Sequence, residues 1–373
     1  MTGPPDTTRP QVSTRDRDEL RRRLVSWLAT RVKEPEVSEL VVPETNGMSS
    51  ETVLFEASWS TEASTRSQRC AARLRPDAAA APVFPVYDLE RQCRAMQLVA
   101  RCSDVPVPEV LFFEPDESFI GSPFIVMSQV SGVVPPDVMP YPFGSWLSEA
   151  SPLDQRRLQD STVLRLAELH AIDGAGGELG FLELDRPGES ALARHLADTA
   201  AYYEWVVSDG LRSPLIERAL SWLVANWPKN AADSVLSWGD ARIGNVMYRD
   251  FEPVAVLDWE MVAVGPREVD LGWMIYLHRF LDDLALQFGL PGMPGFMART
   301  DVAATYASKT GHEPRDLDWY TTYAAVRHAA VMSRVARRQV LFGEREMPAD
   351  PDDMIMHRST LEEMLAGTYW ERF

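Results

Sequence analysis

The chain has 373 residues, is 45% hydrophobic and 25% charged, and carries a net charge of −18. That profile is of an ordinary globular protein, long enough for two lobes. The acidic balance speaks against nucleic-acid binding, which needs a basic face. It is compatible with a cationic small substrate, but solubility is the simpler reason for it.

Residues 1–15 are rich in Pro, Thr and charge and read as a disordered tail. They lack the apolar core of a signal peptide, and no apolar run reaches the roughly 18 residues of a spanning helix. A cytoplasmic protein with no membrane partner is therefore expected. Cys70, Cys93 and Cys102 show no metal or disulfide spacing and read as reduced, buried thiols. No two of the six histidines have zinc spacing.

Leu20, Leu24, Trp27, Leu28 and Val32 recur at helical spacing, which predicts a helix over 16–33. Strands follow at 39–43, at 52–59 with Val53, Phe55, Ala57 and Trp59 on one face, and at 69–75. A helix is expected from Leu89 to Ala100, capped by Asp88, then strands at 109–114 and 123–128. The Pro- and Gly-rich run SGVVPPDVMPYPFG reads as a hinge near 128–133. Ser151-Pro152-Leu153-Asp154 predicts a helix start: a hydroxyl cap, then Pro at the first helical position. That helix should reach Ile172. Helical patterns dominate again over 190–228 and from 267 onward, including a long one through Trp319, Tyr323, Val326 and Ala330. The predicted fold is α+β and bilobal, with a small antiparallel-sheet lobe over 16–130 and a larger, mostly helical lobe over 131–373.

The stretch Val235–Trp259 concentrates oxygen-bearing side chains between apolar runs. Asn245–Arg249 and Val254–Asp258 read as hairpin strands around a four-residue turn, Asp250–Pro253. If Arg249 pairs with Val254, then Asn245 faces Asp258, with Cβ atoms about 4.5–5.5 Å apart. An amide oxygen and a carboxylate so placed could share Mg2+, which takes oxygen ligands and substrate phosphates. Asp240, on the loop before, could orient a substrate hydroxyl and accept its proton. Each residue alone reads as an ordinary turn or strand end. The combination is what points to phosphoryl transfer.

GDARIGN followed by VLDWE resembles the aminoglycoside phosphotransferase family, which has a protein-kinase-like fold. The resemblance extends to NGMSSET, CAARLRP, VPVPEVLFFEP, SPFIVMSQVSG, LAELHAID and GPREVDLGW. It is nearest to the branch with D-W-E after the strand, whose substrates are often unassigned. The resemblance implies a small-molecule kinase using ATP or GTP and Mg2+ on a small hydroxylated acceptor. Within it, Asp240 matches the catalytic Asp, and Asn245 and Asp258 match the metal ligands. Ser49 and Ser50 match the phosphate-covering turn. Arg73 stands where the family has the cation that holds the α- and β-phosphates. Ser128, Gln129 and Val130 match the adenine-contacting hinge, and Asp270 a brace of the catalytic loop.

Three features depart from, or stand beside, that pattern. The loop's His is Trp238, which implies altered packing. The helix Glu that pairs with the strand cation aligns with Gln92, with Glu90 nearby. Arg242 and Glu260 flank the site, and an ion pair between them is expected in preference to an Arg242–phosphate contact. Elsewhere, His170 reads as structural, Trp319, Tyr320 and Tyr323 as core, and at least one of Asp282 and Asp283 as a solvated helix end rather than part of an acceptor pocket. The rival function is a non-catalytic nucleotide-binding module. Protein-kinase and hydrolase readings lack an A-P-E segment and a G-x-S-x-G elbow.

Overall fold

The computed structural model describes residues 15–43, 51–62, 64–77, 80–174, 177–229 and 233–372. Of the expected tail, 1–14 lie outside the described residues, and Arg15 forms an ion pair with Glu51. The chain divides into two compact units. One takes its residues up to Leu89, Val110–Gln129 and Val335–Glu346; the other takes Glu90–Glu109, Val130–Arg334 and Met347 onward.

The first unit is built on a five-stranded antiparallel sheet. Its strands are β1 (Lys33–Val37), β2 (Glu51–Ser60), β3 (Thr65–Leu74), β4 (Val110–Glu114) and β5 (Phe124–Ser128), in the order β1-β2-β3-β5-β4. Val53, Phe55 and Ala57 of β2 are buried on one face, as period-2 alternation predicts. Helix α1 (Arg17–Leu28) covers that face with Leu20, Leu24, Trp27 and Leu28. Asp16 caps α1 by accepting from the Glu19 amide at 2.9 Å. Trp27 packs edge-on against Phe112 and Phe124 and donates its indole N–H to buried Glu114 at 2.8 Å.

The strand expected at 39–43 is only a bridge, Val41 to Leu54. The true first strand is KEPEV at 33–37, which begins at the last residue of the expected helix and ends before the expected strand. β1 pairs on one side alone, so it tolerates Pro35 and needs just one buried side chain, Val37. That removes the alternation by which strands are recognised.

The second unit is mostly helical. It holds α2 (Leu89–Cys102) after its first residue, then α3 (Pro152–His170), α4 (Ala191–Val206) and α5 (Pro214–Ala225). After these come two short antiparallel pairs, β6 (Ser234–Ser237) with β9 (Ala263–Pro266) and β7 (Val246–Arg249) with β8 (Glu252–Val256). Helices α6 (Arg267–Gln287), α7 (Arg299–Thr310), most of α8 (Leu317–Leu341) and α9 (Arg358–Ala366) complete it. Ser151 caps α3 as expected, accepting from the Asp154 amide, with Pro152 in the first turn. Trp319, Tyr320 and Tyr323 lie in the core formed chiefly by α4, α5, α6, α8 and α9. No helix among the described residues is long and apolar enough to cross a membrane.

Two expectations need correction here. Asp282 and Asp283 do not form a solvated helix end. α6 continues past them to Gln287; Asp282 is buried against Arg279 and the Met293 amide, and Asp283 accepts from the Tyr369 hydroxyl. Cys70 and Cys93 are buried, and burial raises both thiols, Cys70 to about 11, whereas Cys102 is exposed.

His195, His278 and His357 are among the histidines packed inside the second unit. Burial lowers His195 and His357 to about 4 and His278 to about 3. A histidine whose folded pKa is depressed stabilises fully above its unfolded value of about 6.5. That contribution is lost as pH falls from there toward the folded values. Stability measured by denaturant midpoint should therefore be flat above pH ~6.5 and fall steadily toward pH ~4. Replacing His357 by Gln should make that slope shallower. A midpoint indifferent to pH across this window would contradict the burial of neutral imidazoles.

Candidate active site

The loop from Ser237 to Asn245 leaves β6 and enters β7, and α6 holds its start. Asp270, in the first turn of α6 and completely buried, accepts from Ser237 Oγ at 2.8 Å, from the Trp238 amide at 2.7 Å and from the Gly239 amide at 2.9 Å. His170 Nε2 at the end of α3 lies 3.0 Å from the same carboxylate, and its Nδ1 meets the Tyr306 hydroxyl at 2.8 Å. Burial alone would raise the Asp270 carboxyl, but the hydrogen bonds from His170, Gly239 and Ser237 outweigh it and hold the pKa below the usual carboxylate value. Trp238, in place of the expected His, is buried and donates Nε1 to the Leu257 carbonyl at 2.9 Å. The aromatic residue thus ties the loop to the strand end that precedes Asp258.

The loop next delivers Asp240. Its Oδ2 accepts from Asn245 Nδ2 at 2.6 Å and from Arg242 Nε at 3.2 Å; its Oδ1 accepts from Trp273 Nε1 at 2.6 Å. The structure therefore brings Asp240 and Asn245 together. The ion pairs of Arg242 run to Asp240 and to Asp137, both of whose carboxylate oxygens Nη1 grips, at 2.7 and 2.6 Å. Gly244 makes room for the Asp137 pair. A Cβ there would stand 2.4 Å from Arg242 Nη1 and 2.5 Å from Asp137 Oδ1, so its bare backbone leaves the space in which the two side chains meet.

The hairpin register also differs from expectation. Asp250 and Phe251 both have positive φ, 51° and 64°, and form a two-residue turn in place of four. Arg249 then pairs with Glu252 and Tyr248 with Pro253, and an irregularity follows before Met247 pairs with Ala255 and Val246 with Val256. Pro253 has no amide to donate, and the bulge beside it absorbs the odd residue. The Leu257 amide consequently donates to the Asn245 carbonyl at 2.8 Å, and Asp258 sits one residue past the ladder with φ of 58°. Asn245 and Asp258 are thus near neighbours by chain path and not a facing strand pair. Burial works against the charge of the Arg242 guanidinium, but the carboxylates of Asp240 and Asp137, with a lesser contribution from Asp258, outweigh it and raise its pKa above the usual value.

Asn245 commits its amide nitrogen to Asp240 and so presents its oxygen to other partners. That oxygen and the Asp258 carboxylate are hard donors of the kind Mg2+ takes. Among the described residues no group of three or more His, Cys, Asp and Glu could hold a metal. The donor set suits an ion that finishes its octahedron with phosphate oxygens and water.

The other predicted residues are placed as follows. Arg73 lies on β3, between Thr52 of β2 and Ile125 of β5. Ser128 ends β5 opposite Cys70, the Gln129 amide donates to the Arg69 carbonyl at 2.9 Å, and Val130 follows. Gln92 is buried on α2, where Glu90 is exposed. Glu260 lies in the turn after Asp258. Ser49 and Ser50 lie outside the described residues. Two residues of the site were not singled out from the sequence: Asp137, the partner of Arg242, which has no local signal, and Trp273, the partner of Asp240, which stands three residues after Asp270 and so shares its helix face.

Asp270→Asn keeps the size of the side chain but turns an N–H pair toward donors. It should cost about 3–5 kcal/mol in denaturant unfolding. Amide exchange at Trp238 and Gly239 should accelerate with it. An unchanged midpoint would show that the carboxylate is not what holds the loop.

A profile of the phosphotransferase enzyme family matches residues 58–297. Among curated proteins, mouse acyl-CoA dehydrogenase family member 10 is 24% identical over 269 residues, which are 68% of this chain and 23% of that protein. The chain spans about a fifth to a third of the length of the curated relatives it matches. Among solved structures, a presumed aminoglycoside phosphotransferase from Ralstonia eutropha superposes with a TM-score of 0.64 at 24% identity, covering 94% of this chain and 98% of that one. A thermostable variant of the aminoglycoside phosphotransferase APH(4)-Ia, in complex with AMP-PNP and hygromycin B, gives 0.53 at 12% identity, covering 93% and 98%. The fold is therefore the bilobal, kinase-like one of these enzymes, and with the profile match across most of its length the chain belongs to the phosphotransferase enzyme family.

Proposed function

We propose that the protein transfers the γ-phosphoryl group of ATP or GTP to a hydroxyl of a small aminoglycoside-like or metabolic acceptor. The observation that carries this reading is the contact of Asp240 with Asn245 at 2.6 Å, on a loop followed by the hairpin β7–β8 that ends just before Asp258. Asp240 is the base: it orients the acceptor hydroxyl and takes its proton. Asn245 and Asp258 supply the oxygen ligands for Mg2+. When bound, that ion offsets charge on the β- and γ-phosphates. Arg73, Ser49 and Ser50 serve the nucleotide phosphates, and Ser128–Val130 the adenine. Nucleotide binding falls to 16–130 and acceptor binding to 131–373, in a cytoplasmic protein. Gln92 offers Arg73 no full charge and favours a second reading, a nucleotide-binding module without catalysis. Trp238 does not favour it, because its indole supports the loop.

Release of ADP or GDP in the presence of a broad panel of hydroxyl compounds tests the reading. Binding of nucleotide with magnesium, seen by thermal shift, but no transfer to any compound would select the module. Asp240→Ala should keep its fold and nucleotide binding and lose turnover by roughly 100-fold or more. Near-normal turnover would remove Asp240 as base. Asp258→Ala should abolish the additional thermal shift that magnesium gives over ATP alone. A shift equal to that of the unaltered chain would remove Asp258 from the metal.

A further inference from the structure

α6 holds the catalytic loop twice. Asp270 takes its backbone, and Trp273, one turn later on the same face, reaches the side chain of Asp240 with its indole N–H. Asn245 and Arg242 already engage Oδ2, so Trp273 on Oδ1 leaves the carboxylate no free rotation.

Trp273 is itself held from behind. The guanidinium of Arg327 on α8 lies 4.6 Å from the centre of the Trp273 ring and 5.6 Å from that of Tyr323. The two helices come this close at Gly272, where a Cβ would stand 2.8 Å from the Tyr320 carbonyl carbon. Arg327 is about two turns beyond Tyr320, so that crossing sets it over the indole. A cation on an indole face draws electron density from the ring and strengthens its N–H as a donor. Arg327 Nη2 also approaches the Gly239 carbonyl, at 3.4 Å.

We infer that Trp273, backed by Arg327, is a positioning residue that sets the direction in which Asp240 presents its free lone pair to an acceptor hydroxyl. This rests on the reading of Asp240 as the base. Alignment of a base with its hydroxyl is worth much of the barrier, so the effect should appear in turnover and not in nucleotide affinity.

The full chain with 15N-labelled indoles tests the contact directly. It has eleven tryptophans, and Trp273→Phe identifies the signal of interest by removing it. That signal should move in Asp240→Ala; if it stays in place, the inference is overturned. In nucleotide turnover with Mg-ATP, to water and to the hydroxyl panel, Trp273→Phe should lower kcat roughly 10-fold or more with the KM for ATP unchanged. Arg327→Lys, which keeps a cation, should retain most of kcat, whereas Arg327→Met should fall with Trp273→Phe. Unaltered kcat in Trp273→Phe, or a KM for ATP that rises in step with the loss, overturns the inference. Normal turnover in Asp240→Ala, or none in the unaltered chain, defeats the base assignment and the positioning role with it. The indole signal still reports the contact in that case, so the two failures are told apart.

Discussion

One buried carboxylate organises the second unit. Asp270 receives two backbone amides, a serine hydroxyl and an imidazole, and it has no access to water. A carboxylate in such a place is tolerated only while those donors stay. The end of α3, the start of α6 and the loop after β6 therefore meet at one point and cannot separate independently. The hairpin joins the same assembly at both ends. Tyr248 meets Thr162 of α3 at 2.8 Å, and the Leu257 carbonyl accepts from Trp238. Asp240 emerges from the middle of this frame, where Asn245, Arg242 and Trp273 hold its carboxylate.

The tryptophan at position 238 changes the character of that frame. The aminoglycoside phosphotransferase pattern has histidine there, a side chain that can gain or lose a proton near neutral pH. Indole is a donor only, and its N–H is always present. The link between the loop and the end of the hairpin in this chain therefore carries no titratable group of its own. The imidazole of the assembly is on α3 instead, in His170, turned toward Asp270 and Tyr306.

Elements with a strong local signature were legible in the sequence. The alternation of β2 and the Ser-Pro start of α3 each follow from side chains that act within a few residues of one another. β1 was not, because an edge strand with Pro35 needs little burial and so leaves little pattern. The hairpin was recognised but its register was not. Asp250-Phe251 carries none of the glycine that marks a two-residue turn, and the bulge beside Pro253 conceals the shift. At the candidate site, the spacing of Asp240, Asn245 and Asp258 could be read because the three lie within one loop and hairpin. The partners of Asp240 and Arg242 from elsewhere could not. Trp273 is 33 residues from Asp240 and Asp137 is 105 from Arg242, and only the packing of α6 and the space at Gly244 bring them in.

The same features that hid β1 decide where the first sheet stops. An outer strand with a free row of amides and carbonyls is a template for another chain. In β1, Pro35 removes a donor, the pairing with β2 is broken between Lys33 and Glu36, and Lys33, Glu34 and Glu36 place charge along the strand. An incoming strand would meet a kinked, charged border with a missing hydrogen bond. The chemistry of β1 itself thus discourages self-association along that side of the sheet.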